Sequence, residues 1–211
     1  IKAVIFDLDG VITSTDADHY RAWKRLADEQ GWHFDEQINQ QLRGISRLDS
    51  LKVILAHNGV SLDEAQLTAL AEQKNRWYRA SLEDLTSADI PALLEELQGR
   101  GIKLAIASAS ANASFIVEKL GIGHSFDSLV PAGEVLVGKP DPEVFARAAD
   151  ELGLCGEECC GIEDAPAGIA AIKAAGMRAI GVGGAVDPAL CDVHVANTAL
   201  LRSEMLLNDS L

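Results

Sequence analysis

The chain has 211 residues, 48% of them hydrophobic and few aromatic, a length and balance that suit a globular α/β protein of one large domain or two modest ones. Its net charge of −14 excludes nucleic acid or an anionic membrane as a partner of the general surface. It leaves room for a phosphorylated small molecule, because a few local cations and backbone amides hold phosphate within an acidic protein.

The first predicted element is a buried strand over residues 2–6, an apolar run that ends in Asp7-Leu8-Asp9-Gly10. In an extended chain residues i and i+2 face the same way, so Asp7 and Asp9 converge at the strand's carboxyl end. Open α/β sheets bind their ligands there. Two acids at that place suit a magnesium ion, a nucleophile, or a nucleophile with its acid/base partner. An Asp-x-Asp alone is more often a solvated strand end, so partners elsewhere must decide. From Ser14 to about Ser87 the rhythm is helical. Tyr20, Trp23, Leu26 and Ala27 recur at helical spacing, as do Leu51, Ile54 and Leu55. So do Leu67, Leu70, Ala71, Lys74 and Trp77, behind a Ser61-x-x-Glu64 capping box. No strand is expected here. The region reads as an all-helical insertion over 14–87, with Trp23 and Trp77 in its core and hinge crossings near 13–15 and 86–88.

A helix over 91–100 leads to a strand over 102–107, which ends in the small-residue turn Ala107-Ser108-Ala109-Ser110. The Ser108 hydroxyl and backbone amides there suit a phosphate beside the next helix, 111–120, with Ser110 as N-cap and Gly121 past its end. A short strand over 128–130 precedes Gly138-Lys139-Pro140-Asp141-Pro142, a Lys fixed in a Gly/Pro loop, and then a helix capped by Asp141 that stops near Gly153. A strand over 159–162 ends in Glu163-Asp164, with Asp164 expected to cap a helix over 165–175. Strands over 178–182 and 193–195 follow. Short apolar strands alternating with helices indicate a parallel sheet covered on both faces. The cysteines, Cys155, Cys159, Cys160 and Cys191, match no zinc-finger spacing and read as buried free thiols in a reducing setting. No stretch nears the ~20 apolar residues that cross a bilayer, and the N-terminus lacks a secretion signal's pattern, so a cytoplasmic protein without a membrane partner is expected.

Each junction motif is weak alone. Four of them in this order, Asp7-Leu8-Asp9-Gly10-Val11, Ala107-Ser108-Ala109-Ser110, Gly138-Lys139-Pro140-Asp141-Pro142 and Gly161-Ile162-Glu163-Asp164, resemble the haloacid dehalogenase superfamily of phosphotransferases over essentially the whole chain. The resemblance implies a Rossmann-like parallel-sheet core, residues 1–13 and 88–211, with a small all-helical cap over 14–87. It implies Asp7 as a nucleophile that becomes an aspartyl phosphate and Asp9 as general acid/base. Ser108, Ala109 and Lys139 would bind the transferring phosphoryl group. One Mg²⁺ would be held by Asp7, the Asp9 backbone carbonyl, Glu163 and Asp164.

Within the superfamily, Thr15, His19, Trp23 and Leu42-Arg43-Gly44-Ile45-Ser46-Arg47 resemble the β-phosphoglucomutase branch, as do Ser108-Ala109-Ser110 with Asn112. That likeness implies interconversion of β-D-glucose 1-phosphate and glucose 6-phosphate, with β-glucose 1,6-bisphosphate as activating intermediate. Arg47 would bind the phosphate not being transferred. Thr15 and His19 would couple cap closure to Asp9. Trp23, Arg43, Gly44, Ile45, Ser46, Ser110 and Asn112 would contact the substrate. The chain departs from the branch at Arg43, where Lys is usual, at Ser14, where a hinge Asp is common, and at Ala111, where a Lys assists phosphate binding. Arg cannot act as a small flexible point charge, so the departure at position 43 bears on which sugar is taken. A sugar-phosphate phosphatase on the same scaffold is the alternative. A dehalogenase would need neither Asp9 nor the Glu163-Asp164 pair, and a non-enzymatic regulator would not keep the full set. Nothing marks a subunit interface, so a monomer is expected.

Overall fold

Four apolar residues make up β1 (Ala3–Phe6), and all four are buried, as a strand covered on both faces requires. The computed structural model describes residues 1–82, 85 and 90–207. After β1 come four helices, α1 (Asp16–Gln30), α2 (Glu36–Gln40), α3 (Arg47–His57) and α4 (Glu64–Ser81), with no strand among the described residues between them. Then α5 (Ile90–Gly99), β2 (Lys103–Ala107), α6 (Ala113–Leu120), β3 (Ser128–Val130), α7 (Glu143–Glu151), β4 (Cys159–Glu163), α8 (Pro166–Ala174), β5 (Arg178–Val182), β6 (Val193–Val195) and α9 (Ser203–Leu207) complete the order.

Among the described residues six strands form one parallel sheet in the order β3-β2-β1-β4-β5-β6. The chain winds outward from β1 in one direction, then returns beside it at β4 and winds the other way. The carboxyl ends of β1 and β4 therefore flank the switch point, the crevice where such sheets bind ligands. Alternation along β1 divides its side chains between two layers. Ala3 and Ile5 join Ala105 and Ala107 of β2, Val144, Phe145 and Ala148 of α7, and Ile169 and Ile172 of α8 in one core. Helix α5 packs on β2 and buries Leu93, Leu94 and Leu97.

By density of internal contacts the chain divides into two units, Ile1–Ser14 with Thr86–Leu211, and Thr15–Leu85. The crossing expected near 86–88 lies outside the described residues. The helical unit has its own core, in which Trp23, Leu26 and Ala27 of α1 meet Leu51, Ile54 and Leu55 of α3 and Ala71 of α4. The expected burial of Trp23 and Trp77 is met in full by Trp23, while Trp77 lies partly buried at the cluster's edge under the Arg25 guanidinium, 4.0 Å from its ring centroid.

Local capping differs from the expectation. Helix α4 starts at Glu64, which makes Asp63 the N-cap. The box is Asp63 with Gln66, through Gln66 N–H to Asp63 Oδ1 at 2.8 Å and Asp63 N–H to Gln66 Oε1 at 3.1 Å. Ser61 is therefore two residues too early. Helix α6 begins at Ala113, and the Ser110 hydroxyl instead accepts the Asn112 N–H in the turn before it. Asp141 accepts the Glu143 N–H at 3.0 Å, with Pro142 at the N-cap position. Two of the four cysteines depart from expected burial: Cys159 and Cys160 are buried, Cys155 is exposed and Cys191 half-buried, and all four are free thiols.

Candidate active site

Strand β1 ends at Phe6, but the ladder runs one residue further, since the Asp7 N–H donates to the Ile162 carbonyl at 2.9 Å. This fixes Asp7 at the lip of the sheet. The chain then turns at Leu8, whose carbonyl accepts the Ile12 and Thr13 N–H groups. Asp9 thus lies beyond the end of β1, between turn residues, where it forms an isolated bridge with Thr13. Strand alternation does not place its carboxylate, although that carboxylate is near enough to act on the charge of Asp7. At β2 the Ser108 N–H continues the ladder to Val130, and the Ser108 hydroxyl accepts the Ser110 N–H at 3.0 Å. Ser108 and Asn112 are buried, while Ala109 and Ser110 are half-buried.

Lys139 reaches the centre of this crevice. Its ammonium donates to Asp7 Oδ1 at 2.5 Å, to Glu163 Oε2 at 2.7 Å and to the Ala107 carbonyl at 3.1 Å, and it lies 4.9 Å from the Phe145 ring centroid. Glu163, the last residue of β4, is fully buried, and Lys139 and Asp7 nearly so. Burial first, and then the Glu163 charge, push the Asp7 carboxyl up, against the pull of Lys139. Burial alone would lower the Lys139 value, but the two carboxylates reverse this and hold the ammonium charged.

The other Glu163 oxygen, Oε1, accepts the N–H groups of Asp164 at 3.1 Å and Ala165 at 3.2 Å. These amides lie just ahead of α8, whose N-cap position falls on Ala165 rather than on Asp164 as expected and makes no side-chain cap bond. Carboxylate oxygens of Asp7, Glu163 and Asp164 lie within 4.8 Å of one another. Two glycines make room for them. Gly10 sits at φ 95°, and a Cβ there would fall 2.1 Å from Asp164 Oδ2. A Cβ on Gly168 would fall 2.0 Å from the Glu163 carboxyl. An all-oxygen, all-carboxylate donor set of this size fits a hard divalent cation such as Mg²⁺.

The helical unit holds a second cluster. Thr15 is fully buried at the start of α1, and its carbonyl accepts the His19 N–H at 2.9 Å. The His19 ring stacks on Tyr78, with centroids 3.9 Å apart. Lys74, buried on α4, lies with its Nζ 2.6 Å from His19 Nδ1, 4.6 Å from the Trp23 ring and 4.8 Å from the Tyr78 ring. Burial, then the charges of Lys74 and Arg47, hold the His19 ring well below its usual value, so it stays neutral. Sequence reasoning gave Lys74 and Tyr78 no site role. The signal was a lysine on an otherwise apolar stripe of α4, which a core tolerates only with a partner.

The run from Arg43 to Arg47 forms the entry to α3. Arg43 pairs with Asp16, Gly44 takes a left-handed turn at φ 74°, Ile45 is half-buried, and Ser46 caps the helix by accepting the Asp49 N–H at 3.2 Å. Arg47 follows as its first residue. Its guanidinium is held below its usual value by burial, and among the described residues its Nη1 is buried without a partner.

A family model described as haloacid dehalogenase-like hydrolase matches residues 1–176. A β-phosphoglucomutase of Bacillus subtilis is 42% identical over 98% of this chain and 94% of its own. A fructose-1-phosphate phosphatase of Escherichia coli is 33% identical over 85% of this chain and 95% of its own. Among solved structures, a β-phosphoglucomutase of Clostridium difficile superposes with a TM-score of 0.92 at 39% identity, covering 97% of this chain and 94% of that one.

Proposed function

The chain belongs to the haloacid dehalogenase-like hydrolase family, an enzyme of phosphoryl transfer, and from that premise we propose that it is a Mg²⁺-dependent β-phosphoglucomutase. The observation that carries the reading is the buried Asp7–Lys139–Glu163 triplet at the switch point, with Asp164 beside it. A carboxylate that attacks a phosphate dianion meets repulsion, and a fixed ammonium 2.5 Å from its oxygen offsets part of it. Asp7 attacks phosphorus in line and forms an acyl phosphate as the sugar oxygen departs. Asp9 protonates that oxygen, then takes the proton of the next attacking hydroxyl. Ser108, Ala109 and Lys139 hold the phosphoryl oxygens. Asp7, Glu163, Asp164 and the Asp9 backbone carbonyl hold one Mg²⁺, which, when bound, supplies further charge neutralisation on those oxygens.

With β-D-glucose 1-phosphate, the aspartyl phosphate passes its phosphoryl group to the 6-hydroxyl. β-Glucose 1,6-bisphosphate then turns and returns its 1-phosphate to Asp7, leaving glucose 6-phosphate. The helical unit serves as the cap. Arg47, whose buried Nη1 has no partner among the described residues, takes the phosphate not being transferred, and Trp23, Arg43, Gly44, Ile45, Ser46, Ser110 and Asn112 shape the sugar subsite. Thr15 and neutral His19 link cap closure to Asp9. The 42% identity to a β-phosphoglucomutase over almost the full chain supports this reading, and the protein is proposed to act as a cytoplasmic monomer. The phosphatase relative favours one alternative, a sugar-phosphate phosphatase with water as acceptor.

Phosphorus-31 NMR of the protein with Mg²⁺, β-glucose 1-phosphate and a trace of the 1,6-bisphosphate separates the two. Glucose 6-phosphate without inorganic phosphate is the expected product. Inorganic phosphate as the main product establishes the phosphatase. Asp7→Asn is expected to stop either reaction.

A further inference from the structure

Lys139 is useful only where it stands, and besides its own bonds to Asp7, Glu163 and the Ala107 carbonyl its place depends on the loop that carries it. Between β3 and α7 the residues 131–142 contain no strand and only one short 3₁₀ turn. Leu136 is 96% exposed and Val137 more than half exposed, and only Gly138 separates them from Lys139, so beyond Val135, which packs partly on the core, apolar burial does not anchor the residues next to the lysine. The stretch is tied instead by charged side chains on one stripe of α7. Glu143, Arg147 and Glu151 are spaced four residues apart and so share a face.

Each of them grips backbone or side chain outside the helix or braces the next. Glu143 Oε1 accepts the Leu136 N–H at 2.9 Å, and Oε2 accepts the same N–H at 3.0 Å and the Val137 N–H at 2.8 Å. These two amides hold the Glu143 carboxyl below its usual range. Arg147 donates to the Glu134 carbonyl at 2.5 Å and to the Glu134 carboxylate at 2.9 Å. Glu151 accepts from Arg147 Nε at 3.1 Å and from the Ser128 hydroxyl in β3 at 2.5 Å. Exposed ion pairs alone contribute little. A carboxylate that takes two adjacent backbone amides fixes the path of the chain itself.

We propose that Glu143, braced by Arg147 and Glu151, is a positioning residue that holds the Lys139 loop so that the ammonium meets Asp7 and Glu163. The proposal rests on the aspartyl-phosphate reading. It needs no direct contact between Glu143 and substrate. A loop freed at residues 136 and 137 lets Lys139 drift by the fraction of an ångström that phosphoryl positioning does not tolerate.

The test is binding of trifluoroberyllate, an anion that mounts on a carboxylate in place of a phosphoryl group, to the Mg²⁺-loaded full chain, followed by fluorine-19 NMR. Glu143→Ala is expected to weaken that binding about tenfold to a hundredfold. It is also expected to speed hydrogen exchange at the Leu136 and Val137 amides. Glu143→Gln keeps one accepting oxygen and should lose less. Lys173→Ala on α8, which removes an exposed ion pair to Asp192, is the control for a surface charge lost without a tie to this loop. Wild-type affinity in Glu143→Ala overturns the proposal, as does a loss no greater than that of the control at equal melting temperature. If Glu143→Ala does not fold, Glu143→Gln is judged by the same two criteria. A wild-type chain that takes up no fluoroberyllate with Mg²⁺ defeats the aspartyl-phosphate reading itself, and this proposal falls with it.

Discussion

Lys139 carries one positive charge into a space that it shares with two buried carboxylates and a third nearby at Asp164. The cluster is therefore negative, and burial first, then the Glu163 charge, make Asp7 hold its proton more tightly than a free carboxyl does. The sign follows from linkage. A carboxyl raised in the folded state binds a proton that the unfolded chain has lost, so it lowers stability as pH rises above the ordinary carboxylate range. A cation that enters the cluster displaces that proton. Mg²⁺ uptake at neutral pH is thus expected to release protons and to weaken as pH falls. Titration calorimetry in buffers of different ionisation enthalpy measures this. Lys139→Met leaves the carboxylates facing one another without their cation, and should destabilise the Mg²⁺-free protein by about 3 kcal/mol or more in urea unfolding.

Helix α8 shows how one element serves both packing and site. Its Gly168 lies against the Glu163 carboxyl, so Gly168→Ala, which in a free helix gains about 1 kcal/mol, should here displace Glu163. The expected result is about a tenfold loss of Mg²⁺ affinity or more, read by titration, with Ala170→Gly, at an exposed position of the same helix, as a control on helix propensity. Helices α1 and α4 make a second such device. Lys74 on α4 faces His19 on α1, Lys74 buried and His19 half-buried beside Trp23 and Tyr78. The His19 ring should stay neutral at pH 6 in nitrogen-15 NMR. Lys74→Met should raise its titration toward, but not up to, the usual value near about 6.5, because burial, the larger cause, remains.

Across the whole molecule, protection follows the sheet. Cys159 and Cys160 lie in β4 next to the central strand, where burial pushes their thiols up to about 11 and about 12. Cys155 is exposed in the turn before β4, and Cys191 is half-buried beyond β5. Iodoacetamide should therefore label Cys155 first and Cys191 slowly, and should reach Cys159 and Cys160 only at the rate of global unfolding, as read by peptide mass spectrometry. Among the described residues no helix is long and apolar enough to cross a membrane.

All six strands were legible in the chain, to within one residue at either end, because a strand buried on both faces leaves an unbroken apolar run bounded by turn residues. The order of the junction motifs marked Asp7, Ser108, Lys139, Glu163 and Asp164 for the same reason, since a parallel sheet delivers every strand's carboxyl end to one edge. Helix starts were less legible. Ser61, Ser110, Asp141 and Asp164 all resemble caps, and which hydroxyl or carboxylate meets a free amide depends on where the backbone turns, not on composition. Only the tertiary structure decided that Glu163 takes the amides ahead of α8 and leaves Asp164 for the acidic cluster. It alone set Lys74 against His19 and Glu143 against the Lys139 loop. The last two contacts join residues from separate elements or across a loop, and no periodic pattern in sequence encodes the distance between them.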